Sequence, residues 1–149
     1  MAAFQGVASI TEDALVAATI ETLIQLVAAA NHRVKVLGWG IFFDGVSTTA
    51  EPVEVVLARQ TTAGTASALT LVKMDDSIAD TLLTTAQQDF TAEPTTTDVL
   101  AVVEVHPQQG YQIMYPLGQE PIIGGGDRLG LRATAPAAVN ARAVIYFEE

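Results

Sequence analysis

Between Arg33 and Gly45 the sequence runs R-V-K-V-L-G-W-G-I-F-F-D-G. Leu37, Trp39, Ile41 and Phe43 recur at period two, with Gly38 and Gly40 on the other side. This alternation predicts a strand over Val34 to Asp44 with one face in a core. Large residues opposite glycines indicate close cover by another backbone, or a bend. Phe42 breaks the pattern as a large apolar residue on the glycine face. It either fills a second core layer or, if that face is open, contacts a partner. Ala (24), Thr (17) and Val (16) dominate the chain, and aromatics are only 6%. Small and β-branched side chains fill a thin core between two packed sheets better than a helical bundle. The expectation is an all-β fold.

The remaining segments extend that reading. Met1 to Ala18 is weakly patterned and reads as an extended N-terminal arm. Thr19 to Ala28 is ambiguous: Ile20, Ile24 and Leu26 alternate as in a strand, while Val16, Ile20, Leu23 and Val27 fit a helix. The strand is favoured because a clear strand follows after a short turn. Val53 to Arg59, Val99 to Val105, Tyr111 to Tyr115, Asp127 to Thr134 and Arg142 to Phe147 read as further strands. Leu69 to Lys73 reads as a short one. Thr61 to Ser67 and Glu93 to Thr97 read as loops, and Asp75 to Ala86 as a loop with one helical turn. Gly124-Gly125-Gly126 marks the most flexible point. The whole predicts one jelly-roll β-sandwich of about eight strands over 19–149, preceded by the arm over 1–18.

The search for chemistry returns mostly exclusions. The net charge is −10, with 7 Lys+Arg against 17 Asp+Glu, which argues against nucleic acid. No apolar run reaches the ~18 residues of a membrane helix, so no membrane partner is expected. Without Cys there is no disulfide, thiol catalysis or Cys-ligated zinc. His32 and His106 stand far apart, without the His pair of a metal-binding jelly roll. They read as a turn residue and a strand-end cap. Asp75, Asp76 and Asp80 are a solvated group before they are a cation loop. The Gly124 to Gly126 run lacks the Gly-Lys-Ser/Thr ending of a phosphate cradle, and no Gly-x-Ser-x-Gly elbow occurs. The expectation is no enzyme, no metal and no cofactor.

Several segments in order resemble one family: Arg33 to Gly45, then V-E-V-V-L-A-R-Q-T-T-A-G-T over 53–65, Thr91-Ala92-Glu93-Pro94, and Pro116-Leu117-Gly118-Gln119-Glu120. G-G-G-D-R-L-G-L-R-A-T-A-P over 124–136 and the terminal Phe147-Glu148-Glu149 complete the series. Together they resemble the head decoration, or cement, proteins of tailed phages, especially those of actinobacteria. The resemblance implies a jelly-roll homotrimer made in the host cytoplasm. It would sit on the outer capsid surface of the virion, at three-fold and quasi-three-fold positions, and bridge copies of the phage major capsid protein. It implies no catalytic residue. One departure is Phe42, where a small polar residue is expected, which leaves open whether the glycine face meets solvent. Phe42, Val56, Val102, Val144 and Tyr146, opposite the better core stripe, are the candidate trimer contacts. Phe4 and Ile10 on the arm, with Gly124, Gly125 and Gly126, are the candidate capsid contacts. The alternative is a receptor- or glycan-binding head of a virion spike or fibre. With Trp39 placed in the core, only Tyr111, Tyr115 and Tyr146 remain to stack on a sugar.

Overall fold

The structure is a computed structural model that describes residues 4–149. The described residues contain no helix. The strands are β1 (Gln5–Ser9), β2 (Asp13–Leu15), β3 (Ile20–Val27), β4 (Val34–Phe43), β5 (Val53–Gln60), β6 (Thr65–Leu69) and β7 (Val72–Lys73). They continue as β8 (Thr85–Ala92), β9 (Thr96–Val105), β10 (Gly110–Met114), β11 (Ile122–Ile123), β12 (Arg128–Thr134) and β13 (Val139–Glu148). Two antiparallel sheets pack as a jelly-roll-like β-sandwich. The first has the order β10-β4-β13-β1-β7, with β11 against β4 and β2 against β13; the second runs β6-β8-β3-β12-β5-β9.

The core follows from period-two alternation. Val53, Val55 and Leu57 face inward from β5, Leu129, Leu131 and Ala133 from β12, and Ala143, Ile145 and Phe147 from β13. Trp39 and Ile41 of β4 meet them. Each Val, Leu or Ile buried this way stabilises the fold by roughly 1.5–3 kcal/mol relative to exposure. The segment 19–28 is the strand expected, because antiparallel partners on both sides, β12 and β8, take its backbone groups.

Four expectations need correction, the first being the loop over Thr61 to Ser67, whose last three residues begin β6 because β8 pairs with them. The segment expected as an arm is built into the first sheet, although Met1 to Ala3 lie outside the described residues. β1 pairs with β13 and β7, β2 pairs with β13, and Ala8, Ile10 and Leu15 are buried in the core. Leu37 does not join the inner stripe. A bulge opposite Tyr146 and Phe147 sets Val36 and Trp39 inward and leaves Leu37 half-buried. No helical turn forms between Asp75 and Ala86, where Lys73 Nζ instead holds the loop by donating to the Ile78 and Asp80 carbonyls.

The second sheet has a cover of its own. Residues 53–69 and 86–105 form one bent antiparallel ribbon whose limbs flank the β3–β12 pair. The bend lies between the pairs Gln60–Thr96 and Thr65–Ala92, with the Thr61 N–H donating to the Thr95 carbonyl at 2.9 Å. Under it lies a buried polar cluster. Gln25 Nε2 donates to Gln60 Oε1 (2.8 Å) and to the Thr62 carbonyl (3.0 Å), and Gln60 Nε2 donates to Thr22 Oγ1 (3.2 Å). The Glu93 carboxylate accepts from the Thr22 N–H and hydroxyl, the latter at 2.6 Å. These bonds fasten the ribbon, since buried amides left without partners would be costly.

Candidate functional site

The outer face of the first sheet carries an uncharged band. Cross-strand pairing lines up Met114, Gly38, Tyr146, Val7 and Val72 in one row across all five strands. The adjacent row is Gln112, Gly40, Val144 and Ser9, and the next is Gly110, Phe42 and Arg142. The first two rows carry no charge. Ion pairs fence the band at both ends: Lys35 with Glu148 at 3.4 Å, and Arg142 with Glu12 at 3.3 Å. The glycines make the band smooth. A Cβ on Gly110 would collide with the Phe42 ring, and one on Gly38 with the Met114 sulfur and the β10 backbone. Phe42 and Met114 therefore lie along the glycine track, with Phe42 40% and Met114 54% exposed. Phe42 belongs to this outer surface and not to the core.

The five candidate trimer contacts do not form one patch. Phe42, Val144 and Tyr146 come together on this band, lining a shallow groove with Val7 and Ile10. Val102 is exposed, but on the outer face of the opposite sheet, paired with Val56. Val56 is only 3% exposed, which removes it as a free contact. Arg132, registered beside Val56, reaches Thr96, registered beside Gln60, so its side chain runs along this face of β5. Sequence could not show this, because the cover arrives from a distant segment.

The candidate capsid contacts are also redistributed. Ile10 is core. Phe4 is half-buried and exchanges backbone hydrogen bonds with Glu149 at 3.1 and 2.9 Å. Gly124 to Gly126 form a hydrogen-bonded turn and not a loose loop. The Asp127 N–H donates to the Gly124 carbonyl and the Gly126 N–H to the Ala28 carbonyl. Gly126 has φ +83°, and a Cβ on Gly125 would stand 2.6 Å from the Asn31 nitrogen. Glycine is therefore required by geometry at these two positions.

Some titratable groups hold local turns, and others crowd together. His106 Nδ1 accepts the Gln108 N–H at 3.2 Å, the expected strand-end cap. Asp75 accepts from the Ser77 hydroxyl and N–H, which holds its carboxyl below the usual range. A small cleft brings together Asp13, Glu21, Asp89 and Glu93. Burial, then the Asp89 charge, raises Asp13; burial and the charges of Asp13 and Glu93 raise Glu21, against a Val16 N–H bond that lowers it. The tyrosines offer little to a sugar. Tyr115 accepts from Trp39 Nε1 at 3.0 Å, and Tyr111 packs on Trp39 with centroids 5.3 Å apart. Tyr146 is the one on the outer band.

Comparison with protein-family models, with curated proteins and with solved structures found no match.

Proposed function

We propose that this chain is a structural decoration protein of a phage head. In this reading it binds the outer capsid surface as a homotrimer and stabilises the expanded shell, without catalysis. The observation that carries the reading is the uncharged band on the first sheet. A chain of net charge −10 keeps one row free of charge across five strands and the next across four, with Phe42 and Met114 exposed along them. The band is modest in size. At about 4.8 Å per strand and about 7 Å between rows it covers roughly 300 Å², short of the ~800 Å² per partner of a standard interface. A contact of that size suits a repeating array, where many copies multiply a weak contact. A ligand that binds only the expanded shell stabilises it by mass action. The resemblance of residues 33–45, 53–65 and 124–136 to cement proteins points the same way.

The test is quantitative mass spectrometry of purified particles of the encoding phage. A ratio near one-to-one with the major capsid protein is expected. A handful of copies per particle would favour the receptor- or glycan-binding head, and absence would overturn both. Light scattering on the purified chain should give about 47 kDa, three times its 15.7 kDa.

A further inference from the structure

The end of the sandwich where β4, β9 and β12 finish holds a cleft of about 560 Å³, a volume within the range of ligand sites. Leu15, Val53, Pro107 and Val139 line it, with the small side chains of Ala137 and Ala138 among its walls. Its walls are tied together. Asn140 donates to the Asp44 carboxylate through N–H (3.2 Å) and Nδ2 (2.9 Å). The Gly45 N–H donates to the Pro107 carbonyl at 2.9 Å, and Gln108 Nε2 to the Val46 carbonyl at 2.8 Å. A cleft held open in this way needs little reorganisation to bind.

Its electrostatics select the occupant. Asp44 and Glu51 stand among the lining residues, and among the described residues no Lys or Arg lines the cleft. Arg142, two residues beyond Asn140, is engaged by Glu12. Outside the cleft, at its rim on the outer face of the second sheet, the exposed Glu54 and Glu104 stand directly opposite each other on β5 and β9. Like charges so placed cost stability unless a cation relieves them.

We propose that this cleft binds an extended peptide segment of another protein, one presenting a branched apolar side chain next to Lys or Arg. The apolar side chain enters between Val46, Pro107 and Ala138, and the cation meets Glu51 and the Glu54–Glu104 pair. The site stands independently of the capsid reading, and either can fail without the other.

The test is an NMR titration of the full ¹⁵N-labelled chain with the peptide GKLLKG and its charge-reversed counterpart GELLEG. Saturable shifts are expected for the basic peptide alone, at the amides of residues 44–51 and 137–140. Glu51→Lys should weaken binding about two- to fivefold, the range of one exposed charge pair. Ala138→Phe, at an exposed position, should abolish it while leaving the rest of the spectrum in place. No saturable shift, an equal response to GELLEG, or shifts elsewhere would overturn the proposal. Shifts of the same amides on raising the protein concentration without peptide would overturn it in favour of a second copy of this chain.

Discussion

Gly130 lies beneath the Gln60 side chain: a Cβ there would run into the Gln60 amide carbon, oxygen and nitrogen together. Gln60 is 4% exposed and makes two bonds, accepting from Gln25 and donating to Thr22. Gln60→Ala removes both. Thr22 Oγ1 keeps Glu93 and Gln25 Nε2 keeps the Thr62 carbonyl, so one buried Gln25 N–H loses its partner. That loss costs about 1–3 kcal/mol. The vacated space adds about 1 kcal/mol. Gly130→Ala should cost a similar amount by driving the Gln60 amide out of its bonds. The double variant should cost far less than the sum, because the new methyl enters space that Gln60 has left. A coupling of about 1–3 kcal/mol is expected, within the range of residues in contact. Urea unfolding at fixed protein concentration, followed by the single and buried Trp39, measures all four proteins. Costs that add within about 0.5 kcal/mol would refute the packing of Gln60 over Gly130.

Asp13 supplies a prediction with a definite sign. Its folded carboxyl binds its proton more tightly than the ordinary value of 3.8, through burial first and then the Asp89 charge. It therefore contributes stability below about pH 4 that is lost as pH rises through the folded value. Asp13→Asn should stabilise the chain at pH 7, with the gain fading as pH falls below 4. A gain that grows toward acid pH in urea midpoints would reverse the assignment. Gly125→Ala should destabilise by about 1–3 kcal/mol, since the clash is with Asn31 backbone that cannot rotate away. A change below about 0.3 kcal/mol in the same unfolding assay would show that the turn relaxes freely. Tyr115→Phe leaves the Trp39 indole N–H without its acceptor and should cost about 1–3 kcal/mol. An altered Trp39 emission should accompany that loss, and an unchanged spectrum and midpoint would count against the bond.

Strands with one strongly apolar side were legible in the sequence. β4, β5, β12 and β13 announce themselves because a period-two stripe of large residues has no stable use except against a core. Phe42 was recognisable as an anomaly on the glycine face, and the fold resolves it onto the outer band. β1, β2 and β8 were not legible. β1 is Q-G-V-A-S, with a glycine where the Phe147 ring needs room, and β8 is the polar T-A-Q-Q-D-F-T-A. Of the candidate contacts, Phe42, Val144 and Tyr146 share a surface because β4 and β13 are paired. Val56 is covered by the Arg132 side chain, and Ile10 turns into the core at the edge of the groove.

The sequence by itself determined the two-layer class and the inner stripes, because alternation is a local property of the chain. Only the tertiary structure decided which outer faces stay open. Burial of an outward residue depends on what crosses it: Arg132 lies along β5 beside Val56, whereas Phe42 keeps 40% of its surface open.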